Sequence, residues 1–212
     1  MKKLNEASII EIFQKSLGKK KFVSEDVEFF NIGKTRIFTK IDTLVQSTDI
    51  PPKMKLSDAS RKSIVACISD FAAKGIKPKY GVISINLPKS ISRSKIDEIV
   101  KGFKKASKEF DIEILGGDTN EGKEIVLNVC IFGESKDFVS RKGSKEKDII
   151  FVTGPFGYTA LGLKMILEEK QNKVKIVKKS INIFTNPKPR LVFGVKNKKY
   201  FSSSMDSSDG LS

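Results

Sequence analysis

The residues of this chain whose type and placement could do chemistry are aspartates at the ends of apolar runs. Asp42 closes Phe38-Thr39-Lys40-Ile41, Asp70 follows Ile68-Ser69 and Asp118 follows Gly116-Gly117, while Asp206 and Asp209 share Met205-Asp206-Ser207-Ser208-Asp209-Gly210. Carboxylates gathered without imidazole or thiolate suit a hard cation such as Mg²⁺, which takes oxygen ligands and leaves positions open for phosphate oxygens. Singly, each aspartate is more readily a turn former or a helix cap; the signal is the set. Gly116-Gly117-Asp118-Thr119 reads either as a phosphate cradle, with glycine amides on the anion and Asp118 on a metal, or as an ordinary hairpin turn. Gly33-Lys34-Thr35 resembles the end of a phosphate-binding P-loop, but position 28 is Glu where that loop needs Gly, so it is rejected as one.

Composition narrows the chemistry further. The chain has no His, which excludes imidazole metal sites, Ser-His-Asp triads and histidine bases. Its 40 Lys and Arg against 25 Asp and Glu give a net charge of +15, so the surface attracts anions, whether nucleotides, phosphorylated metabolites or nucleic acid. A nucleic-acid module is disfavoured, because there is no Trp, there are only 3 Tyr, and the lysines are scattered through 19–21, 142–147, 173–179 and 196–199 as a solvated surface. Cys67 and Cys130 lie inside apolar runs and read as reduced core residues.

These side chains need elements to hold them. A chain of 212 residues, 39% hydrophobic, can bury a core as one large or two small domains. Apolar spacing predicts a helix over 4–17 stopped by Gly18, two strands across 27–45 about a turn at Asn31-Ile32-Gly33-Lys34, and a helix over 58–73 ending at Gly75. A strand over 80–87 and an amphipathic helix over 94–110, with Ser94-x-x-Asp97 as its capping box, follow. A short strand over 112–115, the glycine turn and a strand over 125–133 complete a mixed α+β domain over 1–135. Polar residues 136–148 form a linker. A strand over 149–153 and a helix through Leu167 open a second unit; 172–179 is a solvated helix face or loop, and 201–212 reads as a strand and an Asp-rich turn. No stretch approaches the roughly 18 apolar residues of a membrane span, and Met1-Lys2-Lys3-Leu4-Asn5-Glu6 lacks a signal-peptide core, so the expected location is the cytoplasm.

Together the motifs resemble a family. Ile68-Ser69-Asp70-Phe71-Ala72-Ala73-Lys74-Gly75 is similar to LSDLAAMG, Leu115-Gly116-Gly117-Asp118-Thr119 to IGGDT, Arg141-Lys142-Gly143-Ser144 to R-x-G-A, and Val152-Thr153-Gly154 to VTG. Pro187-Lys188-Pro189-Arg190 is similar to P-x-P-R, and Met205-Asp206-Ser207-Ser208-Asp209-Gly210-Leu211 to MDISDGL. In order and spacing the chain resembles the thiamine-monophosphate kinases, within the aminoimidazole ribonucleotide synthetase-like (PurM-like) ATP enzymes. The resemblance implies an α+β, PurM-like fold. Its N-terminal domain, 1–135, would bind ATP and Mg²⁺ and pair with its twin into a β-barrel-like dimer core; 136–148 would link it to an incomplete C-terminal α/β domain over 149–212.

The implied activity is direct in-line transfer of the ATP γ-phosphate to thiamine monophosphate, giving thiamine diphosphate in a Mg²⁺-dependent homodimer, with no nucleic-acid or membrane partner. By the same resemblance Asp26, Asp42, Asp70, Asp118, Asp206 and Asp209 are metal ligands, Gly117, Asp118, Arg141 and Ser208 hold ATP, and Asp49 contacts thiamine phosphate. No side chain is implied as a covalent catalyst. Asp26, Asp42, Asp70 and Asp118 are expected to converge.

Three departures stand out: Ser24 and Glu25 replace the Gly and first Asp of a G-D-D motif, Lys40 and Ile41 replace hydroxyl residues before Asp42, and Cys67 replaces the Asn of N-L-S-D. Losing oxygen ligands at 40 and 41 weakens one magnesium site, while a Lys40 ammonium can neutralise phosphate charge instead. The alternatives are a sister aminoimidazole ribonucleotide synthetase-like enzyme or a noncatalytic homologue. Residues 1–212 alone are expected to be a poor kinase.

Overall fold

Strand β2, Thr35–Val45, buries Phe38 and Leu44 on one face and exposes Ile41 and Thr43 on the other, the period-2 pattern of a half-covered sheet. It turns back at Gly33-Lys34 onto β1, Glu28–Ile32, with Asn31 opposite Arg36. Strand β5, Val126–Glu134, lies antiparallel to both β2 and β3, Lys77–Leu87, and β4, Glu113–Glu121, runs parallel to β3 at the edge. The sheet order is β1-β2-β5-β3-β4, five strands of mixed direction. This computed structural model describes residues 5–18, 25–169, 174–208 and 210.

Two helices cover one face of the sheet. Helix α3, Leu56–Lys74, contributes Ile64, Cys67, Ile68 and Phe71 to a core with Phe38, Val129 and Ile131, and α4, Arg93–Phe110, closes it with Ile99 and Ala106. The two helices cross closely at Gly102, where a Cβ would lie 2.0 Å from Ser60 Oγ and 2.1 Å from the Ser57 carbonyl oxygen. Arg61, almost fully buried on α3, donates to both oxygens of Glu109 on α4 at 2.8 Å and to the Pro187 carbonyl at 3.1 Å, so one guanidinium ties three segments.

Helix α1, Glu6–Ser16, is capped by Asn5, and α2 is the single turn Gln46–Asp49. Toward the C-terminus, α5, Tyr158–Leu167, packs on α6, Lys175–Thr185. Helix α7, Leu191–Asn197, and the 3₁₀ turn Lys198–Tyr200 seat against α3; a Cβ at Gly194 would meet the Ala72 carbonyl oxygen at 1.9 Å. Among the described residues no helix is long and apolar enough to cross a membrane.

Four local expectations are corrected. Gly116-Gly117-Asp118-Thr119 is not a hairpin turn: β4 runs straight through it, Gly116 takes φ +156° beside a register shift at Gly81/Val82, and β4 and β5 are separated by β3. Gly116 supplies the positive φ and Gly117 the room for close strand pairing, since a Cβ at Gly117 would fall 1.6 Å from the Ile83 carbonyl oxygen whereas one at Gly116 would meet nothing within 4 Å. The cap of α4 is Ser92 rather than Ser94; its extended backbone lets Oγ accept from the Lys95 amide at 3.4 Å. Residues 149–153 form no strand, with Ile149 and Ile150 at 90% and 93% exposure, because no neighbouring strand among the described residues pairs with them. Residues 201–208 are likewise irregular, although Phe201 is extended.

Candidate active site

The site grows from the last two turns of α3. Asp70 and Lys74 stand four residues apart, hence on one side of the helix, and Gly75 ends it in a left-handed conformation. Facing them, Lys40 and Asp42 project from β2 two residues apart, hence from one face of the strand.

Lys74 is the hub. Fully buried, its ammonium lies 2.9 Å from Glu25, 3.0 Å from Asp26 and 2.9 Å from the Ser204 carbonyl oxygen. A buried ammonium of this kind survives only with its donors satisfied and its charge matched. Asp26, 4% exposed, also receives Arg141 Nε at 2.7 Å, a second Arg141 contact through Nη2, and the Asp206 amide at 3.2 Å. Glu25 accepts from the Ser140 hydroxyl and from the Arg141 amide at 3.2 Å. Burial pushes the Glu25 carboxyl up, but the bonds from Ser140, Lys74 and Arg141 outweigh it and hold it below its usual value.

A second pair lies beside the hub. Lys40 Nζ is 2.9 Å from Asp70 and 3.9 Å from Asp42. Burial pushes Asp70 up to about 7, helped by the charges of Asp206 and Asp26 and opposed by Lys40. Ser69 donates to Asp206 at 2.9 Å, so Asp206 bridges the helix and the 201–208 segment. Two strongly anionic shells therefore meet three cations at one end of α3: Glu25, Asp26, Asp42, Asp70 and Asp206 with Lys40, Lys74 and Arg141.

Asp26, Asp42, Asp70, Asp206 and Arg141 thus gather in one place. Asp118 does not join them within the chain. It sits exposed on β4 opposite Ser84, on the sheet face away from α3 and at the far edge from β2, and accepts from Asn120 Nδ2 at 2.6 Å. Gly117 is beside it. Asp49, the last residue of α2, accepts from the Val45 amide at 2.7 Å and Thr48 Oγ1 at 3.1 Å, and acts electrostatically on Lys62 of α3, whose ammonium burial pulls down. Lys62 in turn lies 4.2 Å from the centre of the Phe184 ring. Ser208 lines an open cleft of about 490 Å³ with Phe156, Gly157, Thr159 and Phe184. Asp209 lies outside the described residues.

Lys74, Glu25, Ser140 and Ser204 were absent from the sequence-derived set. Lys74 carried a usable signal: a lysine four residues after a candidate acidic ligand and immediately before the helix-ending glycine shares that ligand's face.

The oxygen-only donor chemistry suits a hard cation such as Mg²⁺. The arrangement does not fit a resident one. Among the described residues no three acidic or thiol groups converge as a metal site, and Asp26 and Asp70 each hold an ammonium or guanidinium within 3.0 Å.

With this geometry in view, residues 24–135 match the model of the AIR synthase related protein, N-terminal domain. The chain is thus an AIR synthase related protein, with its site at the seam of that domain and the segment that follows. It is 64% identical over all 212 residues to a thiamine-monophosphate kinase of Nitrosopumilus maritimus and 31% identical over 212 residues to one of Pyrococcus horikoshii, spanning 67% of each. The chain belongs to the thiamine-monophosphate kinase family. Its fold superposes on the solved AaThiL complexed with AMPPCP and TMP with a TM-score of 0.89 at 27% identity, covering 97% of this chain and 66% of that one. The chain spans about two thirds of the length of these relatives.

Proposed function

We propose that this chain transfers the γ-phosphate of ATP to thiamine monophosphate, forming thiamine diphosphate. The observation that carries the reading is the 64% identity to a thiamine-monophosphate kinase across all 212 residues, and the AaThiL complex with AMPPCP and TMP supports it. The acceptor is a phosphate oxygen already anionic at neutral pH, so the reaction needs little from a general base, in keeping with a chain that has no His. Catalysis is positioning and charge neutralisation, with Arg141 and Lys40 as the cations nearest the opening of the cluster. ATP enters as its magnesium complex, the ion counted with the substrate. Ser208, on the cleft beside Phe184, and Gly117 with Asp118 are the proposed nucleotide contacts, and Asp49 the thiamine phosphate contact.

Asp118 fits this reading only through a second copy. It faces away from α3, on the sheet face where Phe30, Ile32 and Ile41 are exposed, and that face is the proposed dimer surface, curling with its twin into a barrel-like core. On the same reading 1–135 is the dimerising nucleotide domain, 136–148 a linker, 149–212 part of a second domain, and the location cytoplasmic.

Mixing two variants tests function and dimer together. Asp118→Asn and Arg141→Ala are each expected to form little thiamine diphosphate. If one site takes Arg141 from one chain and Asp118 from its twin, equimolar mixing with subunit exchange restores up to about a quarter of the parental rate, because half the dimers carry one intact site. Mixed samples no faster than either variant alone, or a monomer by light scattering, would overturn the shared site.

A further inference from the structure

We propose that Lys40 is a built-in cation: its ammonium occupies the place between Asp42 and Asp70 that a divalent ion would otherwise fill. Nζ lies 2.9 Å from Asp70 and 3.9 Å from Asp42, on a side chain only 28% exposed, against a carboxylate only 8% exposed. Asp26 and Asp206 add negative potential at Asp70, while Lys74 pairs with Glu25 and Asp26 and the Arg141 guanidinium with Asp26. Two neighbouring carboxylates at the edge of a core repel unless a positive charge sits between them. Here β2 supplies that charge covalently: residues 40 and 42 share a strand face, so the ammonium sits beside one carboxylate and points at the other.

The position matters as much as the charge. An ammonium has three donors and no ligand geometry to satisfy, whereas Mg²⁺ demands near-octahedral oxygens at about 2.1 Å and keeps several waters. Lys40 therefore blocks a divalent ion from this gap and leaves the carboxylates ordered before any substrate arrives. The neighbouring residue on that strand, Ile41, offers no side-chain oxygen and faces the other side of the sheet. The protein is thus preorganised at this point without metal.

The inference rests on the placement of Lys40 and not on the kinase reading, and its test uses neither nucleotide nor thiamine monophosphate. Mn²⁺ binding is counted by electron paramagnetic resonance for the parent, Lys40→Thr and Lys40→Met, with melts recorded in the presence and absence of Mg²⁺. The parent is expected to bind no ion that Asp42→Asn abolishes, and its melting temperature to stay put with Mg²⁺. Lys40→Thr, which opens the gap and adds an oxygen, is expected to bind one more Mn²⁺ per chain and to melt higher when Mg²⁺ is added. Lys40→Met keeps the apolar stem, guards against a folding failure of the threonine variant, and is expected to gain the same Mg²⁺ response more weakly. A parent that already binds an ion lost in Asp42→Asn, or lysine variants that gain neither an ion nor a response, would overturn the proposal.

Discussion

Lys74→Met is expected to lower the melting temperature by about 10 °C. The substitution keeps the buried stem but strips Glu25 and Asp26 of an ammonium at 2.9 and 3.0 Å and the Ser204 carbonyl of its donor. Removing one partner from a buried ion pair costs on the order of 3–5 kcal/mol, and in a domain of this size each kcal/mol shifts the midpoint by roughly 2–4 °C. Asp26 retains Arg141, which keeps the loss toward the lower end. Adding Asp26→Asn to Lys74→Met removes one stranded charge and should recover part of the drop. The pH dependence has a definite sign. Glu25 is held below 4.5 in the folded protein, so its share of the stabilisation is fully present above 4.5 and is lost as pH falls through that lowered value. Differential scanning calorimetry at pH 7 and pH 4 checks both statements; a Lys74→Met midpoint within about 2 °C of the parent would contradict the hub.

Arg141→Ala is expected to lower kcat about 100-fold while leaving the melting temperature nearly unchanged. The guanidinium is a third exposed and touches Asp26 from the open side, where an incoming phosphate would meet it, and Lys74 still neutralises Asp26 from behind. Removing one preorganised cation from a transferring phosphoryl group typically costs 10²-fold or more. Arg141→Lys, which keeps the charge but not the fork, should fall between the two. Steady-state kinetics beside thermal melts separate this from a structural role, in which rate and stability would drop together.

Much of the scaffold was legible in the residues because its periodicities are strong. The stripe of Ile96, Ile99, Val100, Phe103, Ala106 and Phe110 gives α4, and the Phe-, Ile-, Val- and Thr-rich run over 27–45 with its turn at 31–34 gives β1 and β2. The glycine pair at 116–117 misled because the positive φ of Gly116 and the missing side chain of Gly117 serve an irregular edge strand as well as a turn, and only the pairing partner distinguishes them. Residues 149–153 have the composition of a strand but lack a pairing neighbour among the described residues, and a strand is a property of pairs.

The site divides the same way. Asp42, Asp70 and Asp206 were visible as acidic residues at element ends, and Asp26, Arg141 and Lys40 through the family resemblance, whereas Lys74 was not, since a lysine-rich composition hides it among the solvated ones. Asp118 was expected to converge with them, yet the sheet sends it to the opposite face; local sequence carries no record of which face an edge strand presents. The polar stretch 136–148, read as a linker, places Ser140 and Arg141 directly on Glu25 and Asp26.

The central claim is that thiamine monophosphate accepts the γ-phosphate at this site. The most direct measurement incubates the protein with magnesium ATP and thiamine monophosphate and quantifies thiamine diphosphate and ADP in the same samples over time. The account predicts equal amounts of the two products at every time point, whatever the rate, with no ADP formed when thiamine monophosphate is left out. ADP released without thiamine diphosphate, or neither product formed above a protein-free control, would contradict it.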